Sequence, residues 1–221
     1  MKDYSSHVGI VGGGIAGLTA GCALRLQGIE TIVFERSEKM SEYGAGISIS
    51  PNGFGLLEKL GIKDSLMDES FSPSRVVMSH LNKEIIAMET EVITTSRQNL
   101  IKAIHQRYVE LGGEVFFNHE CSSLDQGACE ITFSNDKTYK VMHVLACDGI
   151  KSPIRQKHFP STGGAIYSGY SAWRGIGISN SKNIQFNLGP RSHIVSYPIN
   201  VQGNTSFVGV VKTKESNEDS W

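Results

Sequence analysis

Gly12-x-Gly14-x-x-Gly17 is the feature that most restricts what this chain can become. It lies between the apolar run His7–Gly12, which reads as a buried strand, and a helical stretch from Ile15 to Gln27. Ala16, Ala20, Ala23 and Leu24 fall on the expected packing side of that helix, and Gly28 stops it. Thr31–Glu35 adds a second β-rich run. Strand, turn, helix and strand thus fit within about 30 residues, the size of a βαβ unit. In such a unit the first glycine bends the chain and the second lets backbone approach a pyrophosphate. The third brings helix against strand, and the helix N-terminus adds partial positive charge. Glu35 closes the second strand eighteen positions after Gly17, where a carboxylate can take two ribose hydroxyls. An acid there disfavours a 2′-phosphate and so removes NADP from this turn. NAD and FAD both remain open, as does the bland alternative of a tight turn beside a solvated strand end.

Composition narrows the rest. The 221 residues carry a net charge of -1, so no basic field points to nucleic acid. Four cysteines without CxxC spacing argue against a metal centre or a disulfide framework and fit a reducing compartment. No run reaches the roughly 20 apolar residues of a membrane helix. The start, MKDYSSHVGI, has no apolar leader. The expected location is the cytoplasm, with no membrane partner.

Beyond the first unit, a glycine-rich loop, EYGAGISISPNG, leads to a helix over Gly53–Leu60 ended by Gly61. Val76–His80 and Glu84–Glu89 flank Leu81-Asn82-Lys83 as a hairpin. Thr94-Thr95-Ser96 offer N-cap oxygens to a helix from Arg97 to Leu111, closed by Gly112-Gly113. Leu100, Ile101, Ile104, Tyr108 and Leu111 keep helical spacing on it. Strands follow at Val115–Asn118, Glu130–Phe133 and Tyr139–Cys147. The last runs into Asp148-Gly149-Ile150-Lys151-Ser152-Pro153-Ile154-Arg155, a second strand–turn–helix in which Ser152 caps and Pro153 starts the helix. From Ala165 onward the runs IYSGYSAWRGIGI, NIQFNLG, HIVSYPI and TSFVGVV read as an antiparallel sheet.

His193 and Tyr197 share one such strand. Four residues apart, they project from the same face with Val195 between them as an apolar floor. Their α-carbons are about 13 Å apart at strand rise, room for a small ring or water. Imidazole is the side chain that titrates near neutrality, so His193 is a candidate base. The alternative is two rings that merely decorate a strand.

The glycine turn, Glu35-Arg36, GAGISISPNG, SRQNL and CDGIKSPIR occur together, and in order, over about residues 7 to 210. In this the chain resembles the FAD-dependent aromatic hydroxylases, the single-component flavoprotein monooxygenases of the para-hydroxybenzoate and salicylate hydroxylase type. The resemblance implies an α/β protein: a Rossmann-like FAD-binding domain interleaved with an antiparallel-sheet substrate domain. The FAD-binding part would take residues 1–72 and 95–160, the substrate sheet residues 73–94 and 161–221. It implies that Gly12, Gly14, Ala16 and Gly17 hold the FAD pyrophosphate, Glu35 the adenosine ribose and Arg36 the adenine side. Gly44, Ala45 and Gly46 would pack near the flavin, and Arg97 would reach its phosphate or ribityl region. Asp148 and Gly149 would serve FAD and the passing NAD(P)H.

The H-x-x-x-Y-P pattern resembles the salicylate, 3-hydroxybenzoate and 6-hydroxynicotinate hydroxylase branch, where the His and Tyr flank a phenol and assist its deprotonation. Tyr170 and Arg174 fit the preceding strand of that branch, and Arg174 would meet either a substrate carboxylate or a loop acid. The implied reaction consumes NAD(P)H and O2 on a small aromatic substrate. Two rivals stand beside it: a flavin epoxidase or other monooxygenase of non-phenols, and a non-catalytic nucleotide-binding remnant. A plain NAD-linked dehydrogenase fits neither the second turn nor the GAG loop. The family's Gly-Asp motif is absent from these residues. The expectation is therefore either an N-terminal portion of a longer enzyme or a truncated gene product, with little turnover by itself.

Overall fold

The computed structural model describes residues 2–40 and 45–214. In chain order the fold begins with β1 (Lys2–Val11), α1 (Ile15–Leu26), β2 (Thr31–Phe34), β3 (Gly46–Ile49), α2 (Pro51–Lys59) and α3 (Lys63–Met67). Next come β4 (Ser70–Phe71), β5 (Arg75–His80), β6 (Lys83–Glu89), β7 (Ile93–Ser96), α4 (Arg97–Glu110), β8 (Glu114–Phe116) and β9 (Cys121–Asp125). The chain continues through β10 (Glu130–Phe133), β11 (Thr138–Ala146), α5 (Pro153–His158), β12 (Tyr170–Ile178), β13 (Ile184–Gly189), β14 (Ser192–Pro198) and β15 (Asn204–Lys212). Packing divides it into two compact units: Met1–Ser41 with Ile101–Ile166, and Glu42–Leu100 with Tyr167–Trp221.

The first unit is built on a sheet of order β8-β2-β1-β11-β10-β9. Strands β8, β2, β1 and β11 run parallel, and β10 and β9 return antiparallel. All four residues of β2 are buried, as expected for a parallel strand covered on both faces. Ile32, Phe34, Ile131, Phe133, Tyr139 and Val141 form the core on one side, with the Phe34 and Phe133 rings 4.6 Å apart. Buried His119 belongs to this cluster. It donates from Nδ1 to the Phe117 carbonyl at 2.6 Å and accepts at Nε2 from the Tyr139 hydroxyl at 3.0 Å.

Helix α1 corrects the sequence reading of its packing side. Gly17, Leu18, Gly21 and Cys22 are buried, whereas Ala16 and Ala23 are exposed and Ala20 and Leu24 only partly buried. Bare glycine backbone allows a closer approach than alanine does: a Cβ on Gly21 would stand 2.6 Å from the Tyr108 ring. The helix closes at Gly28, whose φ of +75° is left-handed.

The second unit carries a sheet of order β12-β15-β14-β13-β5-β6 and a smaller one of order β3-β7-β4. The large sheet is antiparallel apart from β13 beside β5, which run parallel. That pair departs from the all-antiparallel expectation because the two strands come from distant stretches of chain rather than a hairpin. Leu81 and Asn82, with φ of 48° and 60°, make the two-residue turn that joins β5 to β6. At the start of α4 only Ser96 acts as the cap, accepting the Asn99 N–H at 3.0 Å. Thr94 and Thr95 lie in β7 and bond instead to the carbonyls of Pro198 and Glu69. The sequence does not announce β3, β4, β9 or α3. Each is five residues or fewer, too short to show a period.

Candidate functional site

In the first unit the two turns singled out in the sequence end up side by side. β1 and β11 are parallel neighbours with Val11 opposite Ala146, and the Cys147 N–H donates to the Val11 carbonyl at 2.7 Å. The glycine turn and the Asp148-Gly149 turn therefore leave adjacent carboxyl ends, where open α/β sheets take their ligands.

The three glycines have different reasons to be there. Gly12 has φ +109°, and a Cβ on it would strike the Cys147 carbonyl. A Cβ on Gly17 would strike the Gly12 carbonyl. Gly14 caps α1 in an extended conformation, φ -74° and ψ -176°, with nothing within 4 Å of where its Cβ would be. Two glycines are thus demanded by the fold, and the third leaves an opening. Helix α1 has no acid in its first turn and no side-chain cap, so its first N–H groups are available to an anion. Ala16 is exposed on that turn, and Arg36 is exposed after β2.

Half-buried Glu35 is held firmly. Its Oε2 accepts the Gly13 N–H at 2.7 Å and its Oε1 the Ser37 N–H at 2.9 Å. Each oxygen keeps a further lone pair, so a fixed carboxylate can still accept from a vicinal diol. In the second turn Gly149 has φ +89°, and Asp148 Oδ2 accepts the Ile154 N–H at 3.4 Å. Ser152 Oγ accepts the Arg155 N–H at 2.9 Å, as a cap should, and the Arg155 guanidinium donates to the Ile150 carbonyl. Asp148, Gly149, Ser152, Ile154 and Arg155 line a hollow of about 250 Å³ with Ala146 and Phe159.

In the second unit, strand register brings the remaining candidates to one face of the large sheet. Across β12, β15 and β14 the rows read Ala172–Val210–His193, then Arg174–Val208–Val195, then Ile176–Ser206–Tyr197. Tyr170 lies on the same face, one row beyond His193. His193 and Tyr197 thus stand at either end of a valine floor, with Arg174 level with its middle. Tyr197 is buried against Ile184 and Ile199. Burial pushes its phenol pKa up, while the Ser206 hydroxyl and the Arg174 cation pull it part of the way back. The group keeps its proton at neutral pH and can act as a donor.

Ala45, Gly46 and Arg97 meet in the same unit. The Arg97 N–H donates to the carbonyl of buried Ala45 at 2.8 Å, and the Gly46 N–H donates to Ser206 Oγ at 2.9 Å. A Cβ on Gly46 would lie 2.7 Å from the Tyr197 ring, so only glycine fits. Gly44 lies outside the described residues. Ser206 escaped the sequence reading because it sits inside an apolar run with no motif. Only strand pairing shows it opposite Tyr197, with no surface exposed. Among the described residues no group of three or more His, Cys, Asp or Glu side chains is placed to hold a metal ion. No described helix is long and apolar enough to cross a membrane.

Residues 5–215 match a family model described as FAD binding domain. A 3-amino-4-hydroxybenzoate 2-monooxygenase of Streptomyces platensis is 26% identical over 243 residues, covering 100% of this chain and 61% of the relative. A 3-hydroxybenzoate 6-hydroxylase of Polaromonas naphthalenivorans is 25% identical over 96% of this chain and 58% of its own length. Among solved structures, a single-residue variant of Klebsiella pneumoniae HpxO complexed with FAD superposes with a TM-score of 0.83 at 21% identity, covering 97% of this chain and 59% of that one. The chain therefore spans about 60% of the length of the curated relatives it matches.

Proposed function

The chain belongs to the FAD binding domain family, and on that basis we propose that its protein is an FAD-dependent monooxygenase hydroxylating a small phenolic or N-heteroaromatic acid with NAD(P)H and O2. The observation that carries this reading is the face on which His193, Arg174 and Tyr197 surround Val195 and Val208. A flat ring suits a valine floor, and a guanidinium suits a carboxylate. The opening at Gly14, the first turn of α1 and the fixed Glu35 carboxylate suit a pyrophosphate and a ribose. When bound, FAD would supply the redox chemistry that links NAD(P)H and O2 to ring hydroxylation.

The chain's own residues have narrower tasks. Gly12, Gly14, Ala16 and Gly17 present backbone to the pyrophosphate, Glu35 accepts from ribose hydroxyls, and Arg36 lies along the adenine. Ala45, Gly46 and Arg97 are assigned to the flavin, and so is Gly44, which lies outside the described residues. Asp148 and Gly149 serve the cofactor and the reductant. His193 removes the phenol proton at Nδ1 or Nε2, and Tyr197 donates from Oη to the ring oxygen as charge grows there. Arg174 holds the acid group, and Tyr170 borders the same face. In functional terms we assign 1–72 and 95–160 to FAD and 73–94 and 161–221 to substrate, in a cytoplasmic protein.

The test starts from FAD retention by the purified chain, read from flavin absorbance. NADH and NADPH oxidation is then followed with hydroxybenzoates and hydroxypyridine carboxylates, and label from O2 is sought in the product. His193→Ala is expected to lower kcat on a phenolic acid by about 100-fold with FAD affinity unchanged. Full turnover by that variant would move the protein to the non-phenol monooxygenases. Absence of any FAD binding would leave the nucleotide-binding remnant.

A further inference from the structure

On β13 the residues that face the same way as His193 are Ile184, Phe186 and Leu188, while Gln185 and Asn187 face the other way. β5 continues the apolar set with Val76 and Met78 beside Ile184 and Phe186. Alternation of this kind marks the His193 face as the one built to be covered. The face nevertheless has a covered strip and an open one. Ile184 and Tyr197 are buried, with Val76 and Val92 packed against them. One row along, the register reads Arg174–Val208–Val195–Phe186–Met78–Ile86 across all six strands. Every member after Arg174 is apolar, yet none is buried, and Ile86 is 46% exposed.

We propose that this open row holds an apolar arm of the substrate, so that the protein acts on phenolic acids bearing an alkyl or aryl group on the ring edge away from the acid. The proposal rests on the phenol site and names the substrate class within it. Strands lie about 4.8 Å apart, so Arg174 to Val195 covers two spacings, about 10 Å, which a ring and its carboxylate fill. Val195 to Ile86 covers three more, about 14 Å, and offers only Phe186, Met78 and Ile86. A ring with its acid on Arg174 turns its opposite edge along this row. A polar arm would lie there without partners. An apolar arm leaves water together with the side chains beneath it. Met78, unbranched and adaptable, sits midway and tolerates arms of differing shape.

The test is a binding series. The FAD-loaded protein is titrated calorimetrically with 3-hydroxybenzoate and with its analogues carrying ethyl, butyl or octyl chains para to the carboxylate. Affinity is expected to rise about threefold for each methylene that finds the row. Met78→Asp is expected to weaken the octyl acid by about tenfold or more, with 3-hydroxybenzoate unchanged, because a carboxylate then lies against the chain. If Met78→Asp does not fold, the same criterion applies to Ile86→Asp, at the exposed end of the row. Ile194→Asp, on the opposite face, is expected to change neither ligand.

Equal affinity along the series, with 3-hydroxybenzoate still weakened by Arg174→Gln, overturns the arm and leaves the phenol site standing. An octyl acid weakened as much by Ile194→Asp as by Met78→Asp is partitioning onto any apolar surface, and also overturns it. Octyl-acid affinity that falls as protein concentration rises assigns the row to a second copy of the chain instead. Failure of 3-hydroxybenzoate to bind, or indifference of its affinity to Arg174→Gln, overturns the phenol site and the arm with it.

Discussion

Gly14 has a backbone conformation open to any residue and empty space where a side chain would go, so nothing in the fold asks for glycine there. Gly12 and Gly17, two and three positions away, are each blocked by backbone carbonyls. The three should therefore separate cleanly under substitution. Gly12→Ala is expected to cost about 3 kcal/mol from its left-handed φ and the blocked Cβ, lowering Tm by roughly 6–12 °C. Gly14→Ala should melt with the wild type, yet bind FAD about tenfold more weakly in a fluorescence titration. A second residue-scale expectation concerns His105, half-buried on α4 with its ring against Phe117. Burial lowers its pKa below 6.5. The unfolded chain then binds more protons than the folded one, so stability is present above about pH 6.5 and lost as pH falls through the folded pKa. Urea midpoints between pH 7 and pH 5 should fall less in His105→Gln than in the wild type.

At the scale of elements, α1 and α4 meet where Gly21 lies on the Tyr108 ring, and the same ring hydroxyl bonds Thr31 Oγ1 at 3.0 Å. Gly21→Ala overfills that contact and is expected to cost about 2 kcal/mol. Tyr108→Phe loses only the hydrogen bond, about 1 kcal/mol; thermal melts of the two variants check the order. The contact also shows where sequence reading succeeds and where it stops. The 3.6-residue spacing on α4 named Leu100, Ile101, Ile104, Tyr108 and Leu111; the first four are buried, and Leu111 is partly buried just past the end of the helix. The same reasoning failed on α1 because periodicity counts side chains, and this interface is made by their absence at Gly17 and Gly21. The glycine turn, Glu35 and the second turn were legible because local residue types dictate each of them. That β1 and β11 adjoin, or that Ser206 faces Tyr197, is a matter of long-range register, which no local pattern encodes.

For the whole molecule, the large sheet of the second unit has a second face, opposite the one bearing His193. Trp173 and Ile194 lie in one row across Gly209 on it, with Phe207 in the next row, and they are 58%, 52% and 41% exposed. β12, nine residues long, forms the edge of that sheet. An apolar strip beside a long open edge favours association between chains. Sedimentation of the chain is expected to show concentration-dependent self-association, which Trp173→Lys with Ile194→Lys should reduce while far-UV circular dichroism stays unchanged.

The pairing of β1 with β11 also imposes an order in time. During synthesis the glycine turn leaves the ribosome early, but the strand that completes its sheet ends at Ala146, more than a hundred residues later. Between them come residues 42–100, which pack in the other unit. The nucleotide cradle is therefore a late product of folding, and its closure depends on contacts of high sequence separation, the slow kind to form. Cofactor uptake by a nascent chain should begin only once β11 has emerged. Flavin capture would then serve as a clock for completion of the first unit.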